Sequence, residues 1–117
     1  RLIEGAPLHK SHEQYGFIEP IKYFDKSPGL SQVLLLDFDN NKFDFLVSTL
    51  GTINSPYIKS LMYMRYETEN NRLSILKHIK IGERIRDMVI DKDKNLWAIG
   101  ETTGVILKTE LNNIIDN

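Results

Sequence analysis

Apolar residues in this chain recur in short bursts with the two-residue period of a half-buried strand, and helical periodicity is weak throughout. Residues 30–37 (LSQVLLLD) form an apolar run closed by the polar cluster Asp39-Asn40-Asn41, and residues 43–50 (FDFLVSTL) form its partner. Residues 58–66 alternate, with Ile58, Ser60, Met62, Met64 and Tyr66 on one face and Lys59, Leu61, Tyr63 and Arg65 on the other. A second polar turn, Glu69-Asn70-Asn71, leads into a strand over 72–81. Three more strands are expected at 84–91, 95–100 and 104–109, and Ile114-Ile115 suggests a last helical turn. The first 29 residues hold Pro7, Pro20 and Pro28 and read as connector.

The pattern repeats. LSQVLLLDFDNNKFDFLVS lies over RIRDMVIDKDKNLWAIGE, with Asp37 over Asp91 and Asp39 over Asp93, and a third strand ending in charge follows each copy (MYMRYE, VILKTE). Strand–turn–strand units at a spacing of roughly 40–50 residues are the signature of propeller blades. One such unit cannot cover both of its faces, and closing a ring takes about four to eight. The expectation is therefore an all-β β-propeller of which this chain is roughly the last two blades: a connector over 1–29, the next-to-last blade over 30–81, and the last blade with a C-terminal tail over 82–117. A small antiparallel sandwich is the alternative, but nothing in the sequence indicates how its edges would be protected.

Composition narrows the functional classes. The net charge of −1 gives no electrostatic reason to expect nucleic acid or an acidic membrane as partner. The longest apolar run, Val33-Leu34-Leu35-Leu36, is too short to span a bilayer, so membrane insertion is not expected. The absence of cysteine excludes disulfides, thiolate metal sites and cysteine nucleophiles.

The strongest chemical signal is Arg84-Ile85-Arg86. Strand residues two apart share a face, so two guanidinium forks stand side by side while Ile85 turns into packing. Parallel forks suit a planar ligand bearing several carboxylates. The competing reading is a charged strand face whose arginines pair with Glu83, Asp87 or other neighbours.

Residues 81–110, IGERIRDMVIDKDKNLWAIGETTGVILKTE, resemble the final blade of the glucose/sorbosone dehydrogenase family of soluble quinoprotein sugar dehydrogenases. The specific part is Gly82-Glu83-Arg84-Ile85-Arg86-Asp87-Met88, matching G-x-R-I-R-D-V. Residues 12–20 (HEQYGFIEP) resemble the family's H-x-x-x-G-x-x-x-P entry, and FLVSTL falls in the next-to-last blade. Two departures are visible. Asp93-Lys94-Asn95 stands where Asp-Gly is usual, and the 51–57 loop is longer than the family's connection.

The resemblance implies a six-bladed propeller that oxidises the C1 hydroxyl of an aldose with bound pyrroloquinoline quinone, in the periplasm or secreted, with a homodimeric full-length parent possible. It implies that Arg84 and Arg86 hold the quinone's carboxylates, and that Lys59 and Phe24 (or Tyr23) are the lysine and aromatic near the cofactor. The histidine base and the calcium ligands would lie outside this chain, which then has no catalytic or metal-binding residue and no activity alone. Trp97 reads as core between blades. His9 and His12 stand three apart without a third ligand, and the Asp-x-Asp pairs lack the EF-hand pattern and read as turn caps. A second function class stays open. Asp91-Lys92-Asp93-Lys94-Asn95-Leu96-Trp97 is also similar to the periplasmic propellers of sensor kinases, which implies a non-enzymatic binding or sensor module. A family member that has lost the cofactor is a third reading.

Overall fold

The computed structural model describes residues 16, 21–24, 27–51 and 56–116. Among them are two antiparallel meanders. The first sheet holds β1 (Leu30–Phe38), β2 (Lys42–Thr49), β3 (Ser60–Glu67) and β4 (Arg72–Lys80) in sequence order. The second holds β5 (Ile85–Ile90), β6 (Asn95–Gly100) and β7 (Val105–Glu110), followed by the short helix α1 (Leu111–Ile115). The all-β expectation holds at this level, in two sheets that do not close on themselves.

The hairpin turns form where polar residues interrupt the apolar period. The Asp39 carboxylate accepts the backbone N–H groups of Asn41 and Lys42 at 2.8 and 2.9 Å. Asp91 does the same for Asp93 and Asn95 at 2.9 and 3.0 Å. The internal repeat is thus corrected by two residues: Asp39 corresponds to Asp91, not to Asp93. Left-handed backbone at Asn71 and Lys94 completes two of the turns.

Alternation then sets the faces. Leu46, Leu61 and Ile79 point from the first sheet toward Ile85, Met88, Leu96 and Ala98 of the second, and α1 adds Ile114. Leu46 and Ile85 are fully buried there. Burying an aliphatic side chain of this size contributes about 1.5–3 kcal/mol, so this shared layer is what joins the two sheets. Lys77 Nζ donates to the carbonyl of Ile114 at 2.7 Å, satisfying an acceptor at the C-terminal end of α1.

The first strand of each sheet marks the joint. Ser31 Oγ on β1 donates to the Arg86 carbonyl at 2.7 Å, and the Met88 N–H donates to Gln32 Oε1 at 2.6 Å. The free edge of β5 is thereby covered by side chains of β1.

The opposite faces of both sheets are apolar as well. Register places Val33, Leu35 and Phe38 of β1 beside Val47, Phe45 and Phe43 of β2, pointing away from the shared core. Val33 is 59% and Phe38 64% exposed. On the second sheet Val89, Ile99 and Ile106 face outward around Trp97. Trp97 is half-buried on this outer face, away from the core shared by the two sheets: its Nε1 donates to Asp91 Oδ2 at 2.8 Å and Lys108 Nζ lies 5.0 Å from the ring centre.

Candidate anion-binding site

Arg84 and Arg86 flank a buried residue at an irregular strand start. Strand β5 begins at Ile85, one residue after Arg84, and its register against β6 slips between Ile85 and Asp87. Arg86 occupies that slip, an arrangement that re-aims side chains locally. Ile85 is fully buried between the sheets, and both arginines reach the same acidic group.

That group is Glu101. Arg84 Nε donates to Glu101 Oε1 at 3.2 Å, while Arg86 Nε donates to Oε2 and Arg86 Nη2 to Oε1, each at 3.1 Å. One carboxylate is held by two guanidinium groups, and the side-on fork of Arg86 grips it with two nitrogens. The first cause holding Glu101 below the ordinary carboxylate range is Arg86, followed by Arg84. All three side chains are about half exposed, at 39%, 54% and 43%.

The turn after β6 braces the site. The Arg84 carbonyl accepts the N–H of Glu101 and the Arg84 N–H donates to Thr102 Oγ1, both at 2.9 Å. Glu83 accepts from the Thr103 hydroxyl and from its N–H, the latter at 3.1 Å. These contacts lower the Glu83 carboxyl, the Thr103 hydroxyl first, with the charge of Lys59 adding to the effect. Gly100 permits the approach: a Cβ there would stand 2.8 Å from Glu83 Oε1.

Lys59 lies on a neighbouring feature, the 56–59 turn, and Phe24 packs against that turn. Lys59 is not a strand residue, contrary to the alternation expected for 58–66. It has φ of 50° just before β3, where its carbonyl accepts the N–H groups of Ile81 and Gly82 at 3.1 and 3.0 Å. The Phe24 ring meets Tyr57 edge-on at 6.0 Å, under Lys22 Nζ at 5.2 Å. Tyr57 in turn meets His78 at 5.0 Å, and His78 Nε2 lies 2.8 Å from Ser60 Oγ. Burial first, then the charge of Lys80, holds that imidazole below its usual range. Phe24 therefore packs into an aromatic cluster and touches neither arginine. His9 and His12 fall outside the described residues. Among the described residues no three histidine or carboxylate groups come together to hold a metal ion, and no helix is long and apolar enough to cross a membrane.

Glu101 is the site residue that sequence reasoning missed. Its place follows from a register that the residue pattern does not show: beyond the slip at Arg86, Ile85 pairs with Gly100, so the register continued by one residue sets Glu101 opposite Arg84. Counting outward from the 91–94 turn without that slip would set Thr102, not Glu101, opposite Arg84.

No family model matches this chain, and no curated protein or solved structure matches it either.

Proposed function

We propose that this chain supplies two neighbouring blades of a larger β-propeller, a quinoprotein that oxidises the C1 hydroxyl of aldose sugars, and that Arg84 and Arg86 hold carboxylates of its pyrroloquinoline quinone. The observation that carries this reading is the convergence of two guanidinium groups on one carboxylate. The donor chemistry fits a polycarboxylate quinone: among the described residues, Nη1 of both arginines and Nη2 of Arg84 have no hydrogen-bond partner, so the pair keeps donors for a second anion. The propeller reading is supported by the joint between β1 and β5, since radially repeated blades meet at corresponding strands, and by the apolar outer faces that further blades would cover.

When bound, the quinone supplies the acceptor for the two electrons taken from the sugar. This chain's residues bind and orient it: the arginine forks fix its carboxylates, and the 101–104 turn fixes the forks. The histidine base and the calcium ligands lie outside this chain on this reading, and the protein works in the periplasm or is secreted. The engagement of Arg84 and Arg86 by Glu101 favours one other reading, a propeller without cofactor in which the three residues form an ordinary surface ion pair.

Quinone titration of the intact, quinone-free protein separates the two. A charge-assisted hydrogen bond contributes about 1.5–3 kcal/mol, so Arg84→Ala and Arg86→Ala should each weaken binding by about ten- to 150-fold. Ile85→Val, on the buried side, should leave it unchanged. No quinone uptake by the wild type, or equal uptake by both arginine variants, removes the dehydrogenase reading and leaves the surface pair.

A further inference from the structure

We propose that Glu101 is a built-in competitor for the arginine pair: its carboxylate occupies the donors that a ligand carboxylate would use, and ligand binding displaces it into solvent. This rests on reading Arg84 and Arg86 as an anion site.

The side-on face of Arg86, the edge carrying Nε and Nη2, is the one that matches a carboxylate bidentately, and both nitrogens are taken by Glu101 at 3.0–3.1 Å. Arg84 Nε is taken as well, at 3.2 Å. A ligand carboxylate can reach the remaining end-on N–H groups with Glu101 in place, but it can grip the paired forks only if Glu101 leaves. Leaving is easy. Glu101 opens the exposed 101–104 turn, its side chain is 43% exposed, and all of its side-chain contacts described above are to the two arginines. Its backbone stays fixed through the Arg84 carbonyl, so the side chain can swing out without moving the strand.

The competitor also has a use when no ligand is present. Two guanidinium groups held side by side repel each other, and one carboxylate between them halves the local charge and keeps both forks turned to the same side. The arrangement resembles a ligand-bound state with a protein carboxylate standing in for the ligand's. Affinity is then set by the difference between two similar interactions, which keeps binding reversible and selects against monocarboxylates: a ligand must bring more than one carboxylate to outcompete a tethered one.

The test is binding to the intact, quinone-free protein at one ionic strength, with two probes, pyrroloquinoline quinone and citrate. Glu101→Gln keeps the shape of the side chain and removes its charge. Exposed ion pairs are weak, so relief of the competition should tighten both probes by about two- to fivefold, with little change in melting temperature. Glu101→Ala should tighten them at least as much, and Arg84→Ala with Arg86→Ala should abolish the gain. Equal or weaker binding by both Glu101 variants, with the wild type binding, overturns the competitor role and leaves the anion site standing. If citrate binds more tightly to Glu101→Gln but the quinone binds to neither protein, the competitor role holds and the quinone reading fails. Absence of binding by either probe to any of the proteins overturns both.

Discussion

Gln32 Oε1 accepts the backbone N–H of Met88 at 2.6 Å, and by this contact a side chain of the first sheet closes the free edge of the second. Met88 is 2% exposed, and its N–H is shared with Asp87 Oδ1 at 2.9 Å, so losing Gln32 leaves a partly satisfied donor. Gln32→Ala should therefore cost about 1 kcal/mol, at the low end for a buried unsatisfied group. Chemical denaturation measures the loss. Amide exchange at Met88 should quicken more than exchange on β3. Uniform quickening across both sheets would show that the contact does not hold the joint.

Asp44 on β2 receives Arg65 Nε at 2.7 Å, Arg65 Nη2 at 3.0 Å and the Tyr63 hydroxyl at 2.9 Å. The Arg65 contact is the first cause holding its carboxyl below the usual range, outweighing burial. A carboxylate with a lowered folded pKa contributes stability that is complete above its unfolded value near about 4 and is lost as pH falls through the folded value. Asp44→Asn should cost about 1–3 kcal/mol at neutral pH. The gap from the wild type should close as pH falls through the lowered folded value and Asp44 itself becomes protonated. Melting curves at several pH values test this; a gap that persists undiminished at low pH would show that the loss is one of packing.

Gly29 has φ of 70°, and a Cβ added there would stand 2.9 Å from the backbone nitrogen of Gly51. The neighbouring Pro28 and Gly29 carbonyls accept the Gly51 and Leu50 N–H groups at 2.9 and 2.7 Å, tying the chain entering β1 to the end of β2. Gly29→Ala should destabilise the protein by about 1–3 kcal/mol, since the left-handed backbone and the backbone contact both oppose it. Thermal unfolding gives the value, and a neutral result would mean that the entering segment is free to move away.

The apolar outer faces make a prediction about the chain on its own. With Phe38 64% and Ile106 74% exposed on opposite outer faces, the isolated chain should self-associate or precipitate. Phe38→Ser with Ile106→Ser should shift it toward monomer. Sedimentation and unfolding of the isolated chain decide the matter: a monodisperse monomer with one sharp cooperative transition would overturn the two-blade reading.

Much of this architecture was legible in the residue pattern. All seven strands lie within two residues of their expected bounds, because alternating apolar residues and Asp/Asn turns are local features. The helical turn at Ile114-Ile115 extends over Leu111–Ile115. The failures have particular causes. The match of Asp39 to Asp93 slipped because an overlay of residue types does not show where the register shifts fall, between Leu30 and Val33 and between Leu35 and Asp37 on β1, and between Ile85 and Asp87 on β5. Lys59 was counted into a strand because its left-handed backbone leaves no mark on hydrophobic period.

The sequence by itself determined the strands, the turns, the burial of Ile85 and the shared side of Arg84 and Arg86, since each depends on residues close in the chain. Only the tertiary structure decided what those arginines hold. Glu101 reaches them across the β5–β6 hairpin, and the bulge at Arg86 is fixed partly by Ser31 from the other sheet. A strand pattern records which side chains turn inward. It does not record the register, bulges and sheet-to-sheet contacts that bring two guanidinium groups onto one carboxylate, because those arise from pairing between segments far apart in the chain.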